Sequence, residues 1–138
     1  MNSWIGAWVL PFIASLAAFC AGDFVWLGFV ARDFYAARLG ALLLPEPNFA
    51  AAIAFYPLYA AGLLVFCVRP ALATQSRWRA PLSAAFFGLV AYGTYDLSNL
   101  ATLKGWSVTV TFVDIAWGMV VSSVAALAGY TAGRLAAR

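Results

Sequence analysis

The sequence predicts an all-α polytopic membrane protein, one integral-membrane domain over residues 1–138 folded as an antiparallel bundle of four transmembrane helices. Two observations carry that prediction. Hydrophobic residues make up 65% of the 138 and charged residues only 9%, against about a quarter charged in an ordinary soluble domain. Four apolar stretches, 8–30, 48–68, 81–103 and 107–131, each reach the ~20 residues that a helix needs to cross ~30 Å of hydrocarbon.

The elements follow in chain order. No basic residue precedes the first span, and its apolar stretch is longer than a secretory core, so it reads as a retained helix rather than a signal peptide. Bulky Phe19 before Cys20 does not suit lipoprotein cleavage. In the link 32–47, Arg32 and Asp33 read as solvated charges, and Glu46 sits between two prolines as a loop charge. Pro57 lies inside the second span, where its missing N–H predicts a kink. Arg77-Trp78-Arg79 reads as an interface anchor in the next link. The short link Lys104-Gly105-Trp106 makes spans three and four a hairpin, with Lys104 reaching for headgroups or, as an alternative, pairing with Asp96 or Asp114. Cys20 and Cys67 differ in expected depth by about 13 Å and read as free packing thiols.

Charge sets the orientation and narrows the chemistry. With four spans, Arg69, Arg77, Arg79, Arg134 and Arg138 fall on one side against Arg32, Arg38 and Lys104 on the other, which predicts both termini in the cytoplasm. The net charge of +3 is scattered among span ends, a pattern for lipid headgroups and not for nucleic acid. There is no histidine. That excludes His-ligated zinc or haem, a Ser-His-Asp triad and any imidazole proton shuttle from this chain.

The informative residues are Asp23, Asp96 and Asp114, each inside a span. An aspartate at the centre of a membrane helix costs about 2.5–3.5 kcal/mol, so such residues usually face the bundle interior. Seven residues separate Asp23 from Val30, Asp96 from Leu103, and Ser107 from Asp114. At 1.5 Å per residue all three lie about 10 Å below the non-cytoplasmic boundary, in a layer that also takes in Tyr56 beside Pro57. Tyr92, Asp96, Asn99 and Leu103 share one helix face, with Tyr95 and Thr102 at its margin. Thr111, Asp114, Gly118 and Ser122 share another, as do Ser15, Phe19, Asp23 and Trp26. Asp23 precedes Trp26 by three residues and Asp114 precedes Trp117 by three, so each indole points the way of its carboxylate and can donate to one or wall it from lipid.

The string Tyr95-Asp96-Leu97-Ser98-Asn99-Leu100-Ala101-Thr102-Leu103-Lys104-Gly105-Trp106 carries a resemblance. Together with Gly22-Asp23-Phe24-Val25-Trp26-Leu27-Gly28, Val113-Asp114-Ile115-Ala116-Trp117-Gly118, Arg32-Asp33-Phe34-Tyr35, Phe55-Tyr56-Pro57-Leu58-Tyr59 and Val68-Arg69-Pro70-Ala71, it resembles the bacterial membrane-protein family catalogued as domain of unknown function 2177. The resemblance covers nearly the whole chain. It implies a small four-helix protein of the bacterial inner membrane and brings no established reaction or catalytic residue. It also implies relatives encoded near lipid-modifying enzymes, which points toward lipid.

Clustered carboxylates repel one another and lose hydration, a strain that a bound cation, a shared proton or a ligand relieves. The residues therefore read as a site that binds or transports a cation, a proton or a lipid headgroup, formed by Asp23, Asp96, Asp114, Asn99, Tyr56, Tyr92, Tyr95, Trp26 and Trp117. Asp23, Asp96 and Asp114 would be the ligands of any hard divalent cation such as Mg²⁺ or Ca²⁺. Transport by so small a bundle calls for a homodimer or a membrane-protein partner, beside the membrane lipids themselves. Two alternatives stand: a membrane enzyme modifying a fatty or isoprenoid lipid, and a structural bundle or accessory subunit in which the aspartates only tie helices together.

Overall fold

The computed structural model describes residues 4–138, and among them every regular element is helical. Four long helices, α1 (Ile5–Val30), α3 (Phe49–Ala73), α4 (Arg79–Thr102) and α5 (Val108–Ala136), are joined by short links, and a short helix α2 (Arg32–Leu39) follows α1. Three of them, α1, α3 and α5, are long and apolar enough to cross a membrane. Helix α4, with 24 residues, has the length, about 36 Å. Its last turns carry Thr94, Tyr95, Asp96, Ser98 and Asn99, whose polarity sets it apart from the other three.

Local chemistry places the ends. Asn48 accepts a hydrogen bond from the Ala51 N–H at 3.1 Å, and Ser107 accepts one from the Val110 N–H at 3.2 Å, so α3 and α5 each begin at a side-chain cap. Between α4 and α5, Gly105 turns with φ +76°, a backbone angle that favours glycine. Helix α3 passes through Pro57 within one helical run and continues past the expected end at 68, widening to π geometry over Leu64–Val68 before Pro70 resumes the α-helix. Wide turns also occur at Ile5–Val9 and Trp26–Val30, the second closed by the Ala31 N–H on the Trp26 carbonyl at 2.7 Å.

Helix α5 is the axis of the bundle, with α1 and α4 packed along it and α3 filling the remaining side. Its buried positions are mostly small: Thr111, Gly118, Ser122, Ala125, Ala126, Gly129 and Gly133. A methyl group at Gly118 would collide with the Tyr92 ring, and one at Gly129 with Ser15 Oγ, so both glycines are required by close approach. Phe19, Tyr59, Leu63, Val68, Val121 and Tyr130 fill the core around this seam. Tyr59 and Ser122 hydrogen-bond between helices at 2.8 Å, whereas buried Ser15 Oγ has no partner among the described residues. Cys20 and Cys67 are free thiols.

The link 32–47 keeps Arg32, Asp33 and Glu46 exposed, but it opens with a helix that the sequence reading does not include. Ala31, Tyr35 and Leu39 lie at i, i+4 and i+8 of α2, and Ala31 and Leu39 are buried. Asp33 in its first turn and Arg38 in its last complement the helix dipole. The amphipathic helix therefore folds back over the acidic end of the bundle.

Candidate functional site

Each aspartate reaches the interior from its own helix, and each meets different company. Asp23, on α1, is buried and accepts hydrogen bonds from Trp117 Nε1 at 2.8 Å and from the Tyr56 hydroxyl at 3.1 Å. Asp114, on α5, accepts from the Tyr35 hydroxyl at 2.5 Å. Asp96, on α4, is fully enclosed, and neither oxygen meets an N–H or O–H donor among the described residues. That leaves a buried carboxyl group with no compensating donor among the described residues.

The two Asp-Trp spacings combine across the helix pair. Trp26 and Trp117 stack with ring centroids 4.5 Å apart and planes 5° from parallel. Trp117 donates directly to Asp23 on the opposite helix, while Trp26 donates to the Tyr35 hydroxyl at 3.1 Å, which in turn donates to Asp114. Each indole thus serves the carboxylate of the other helix. Burial and the Asp114 carboxylate both push the Tyr35 phenol well above its ordinary value, so it holds its proton and acts as donor.

Around this layer lies a cavity of about 870 Å³ between all five helices. Phe55, Tyr56, Tyr59, Tyr92, Tyr95 and Trp117 give it an aromatic wall, α2 contributes Tyr35 and Leu39, and its charged side chains are Asp23, Asp114 and Arg32. Tyr95 presents one edge to the cavity, stands largely exposed outside it, and packs edge-on against Trp106 at 5.7 Å. Asp96 lies behind the wall, and half-buried Asn99 is likewise outside the lining.

The three aspartates do not close into a cage for a metal ion. Among the described residues, no group of three or more His, Cys, Asp or Glu side chains is placed to hold one. Asp23, expected with Asp96 and Asp114 as a ligand of any hard cation, is held by indole and phenol donors, Asp114 by the Tyr35 hydroxyl, and Asp96 by no donor among the described residues. Lys104 is exposed at the end of α4. Sequence reasoning missed Tyr35 and the cavity-facing position of Arg32. The i, i+4, i+8 spacing of Ala31, Tyr35 and Leu39, with an acid early and a base late, is the signal that marks them.

Fold and site together define a helical membrane protein with a carboxyl-bearing aromatic cavity. A family model described as predicted membrane protein (DUF2177) matches residues 8–131, and the chain belongs to that family. No curated protein and no solved structure matches the chain.

Proposed function

We propose that the bundle crosses the membrane four times, with both termini in the cytoplasm, and that its aromatic cavity binds an amphiphile by a polar end. The length of α4 and the five-to-three basic bias support the topology. One observation carries the ligand reading: about 870 Å³ of aromatic-walled space whose charged groups are two carboxylates and one guanidinium. That volume suits a chain-bearing molecule far better than a bare ion. An ammonium or hydroxyl end would sit on Asp23 and Asp114 among tyrosine and tryptophan faces, which attract cations. Arg32 at the α2 edge would meet a phosphate, so a zwitterionic lipid headgroup fits both charges.

The test is titration of tryptophan fluorescence in the purified chain with short-chain phosphatidylethanolamine and with dodecyltrimethylammonium. Saturable quenching is expected, weakened about tenfold or more in Asp114→Asn, which keeps the shape but loses the charge. Wild-type binding by both Asp114→Asn and Asp23→Asn would reject the reading. So would stabilisation by Mg²⁺ or Ca²⁺ with no response to either amphiphile.

A further inference from the structure

A second cavity, about 570 Å³, opens at the other end of the bundle, lined by Gly6, Ala7, Arg69, Leu72, Gln75 and Arg134 with neighbouring small residues. Its chemistry is opposite to that of the first. No acidic side chain lines it, and all five acidic residues of the chain, Asp23, Asp33, Glu46, Asp96 and Asp114, lie elsewhere. Arg77 and Arg79, at the turn from α3 to α4, and Arg138, after α5, fall at the same end of the bundle.

Its arginines are positioned by the fold. Pro11 has no N–H to offer the Ala7 carbonyl four residues before it, and Arg69 Nη1 donates to that carbonyl at 3.2 Å. The guanidinium also lies over the Trp8 ring at 4.3 Å from its centroid. One donor is thereby used and the plane is set, while most of the five N–H groups are left for a partner. Arg134 faces it from the last turn of α5, where it also complements the helix dipole. Between them Gln75 holds a left-handed backbone with φ 52°, uncommon for a residue with a side chain, and lines the same cavity. Leu72 and Gly133 add apolar lining to the same cavity.

We propose that this cavity is a binding site for a phosphate group, that of an anionic lipid headgroup, held between Arg69 and Arg134 with the Gln75 amide as a third donor. Two guanidinium groups without a carboxylate side chain beside them are what a phosphate diester requires, and the apolar lining at Leu72 suits the start of a lipid's acyl chains. The site stands on observations separate from the aromatic cavity and survives or fails independently of it.

Native mass spectrometry and thermal melting of the full chain in detergent provide the test, with short-chain phosphatidylglycerol, phosphatidylcholine and inorganic phosphate as probes. Phosphatidylglycerol is expected to be retained and to raise the melting temperature, with apparent affinity about tenfold lower in Arg134→Gln. Gln75→Ala is expected to weaken it less. Because Arg69 also satisfies the Ala7 carbonyl, Arg69→Met can lose stability for a structural reason, so Arg134→Gln is the deciding variant. Equal retention of phosphatidylcholine and phosphatidylglycerol, or unchanged phosphatidylglycerol binding by Arg134→Gln, overturns the proposal. Stabilisation by inorganic phosphate with no added effect of phosphatidylglycerol overturns the lipid source and leaves a free-anion site.

Discussion

Helix α5 builds two unlike regions from one continuous stretch. Toward its start, Asp114 and Trp117 face Tyr35, Tyr56 and Tyr92, and bulky rings hold the neighbouring helices apart around open space. From Gly118 onward, Ser122, Ala125, Ala126, Gly129 and Gly133 let α1, α3 and α4 close in until backbone meets side chain. The change in residue size along a single helix face thus determines where the bundle is open and where it is shut. The polar layer lies in the open half, where side chains have room to turn toward donors. Lipid offers no hydrophobic drive between helices, so close packing in the tight half supplies much of the cohesion.

Enlarging a residue in the tight half should have the greatest effect. In Gly129→Leu the new side chain meets Ser15, the Pro11 carbonyl and Val68, forcing α1 from α5. A loss of ~3 kcal/mol or more is expected, read as aggregation or a collapsed melting temperature in detergent. Melting within a few degrees of wild type would erase the distinction between the halves. In the open half, Trp117→Phe removes an indole donor from buried Asp23 and should cost about 1–3 kcal/mol. Pairing it with Asp23→Asn in a double-mutant cycle isolates the bond, and a coupling indistinguishable from zero would mean that the carboxylate does not depend on that indole. The smallest effect is expected from Tyr35→Phe, which detaches α2 from Asp114 for about 0.5–1.5 kcal/mol. Hydrogen exchange should then quicken across residues 32–39 while α5 stays protected. Uniform quickening would show that α2 is no separate unit.

Much of this contrast could be read from the residues. Membrane helices advertise themselves by length and apolarity, and the faces Ser15–Phe19–Asp23 and Thr111–Gly118–Ser122 turn inward as their spacing requires. What spacing could not convey was partner choice across helices. Asp23 turns to Trp117, ninety-four positions away, and this depends on helix rotation and contact order in space. Helix α2 escaped notice because eight residues with charges near both ends resemble a polar link until their buried face is traced. The far ends of α3 and α5 were underestimated for a related reason: helices continue past the apolar boundary when arginines can reach water.

The stacked indoles of Trp26 and Trp117 belong to different helices yet lie nearly parallel at 4.5 Å. Chromophores that close exchange excitation, so their ultraviolet transitions couple and the near-ultraviolet circular dichroism of the pair depends on distance and tilt. A slide of α1 along α5, or entry of a molecule between them and Asp23, alters that coupling at once. The chain therefore carries an intrinsic optical gauge at the wall of its own cavity, readable without a label.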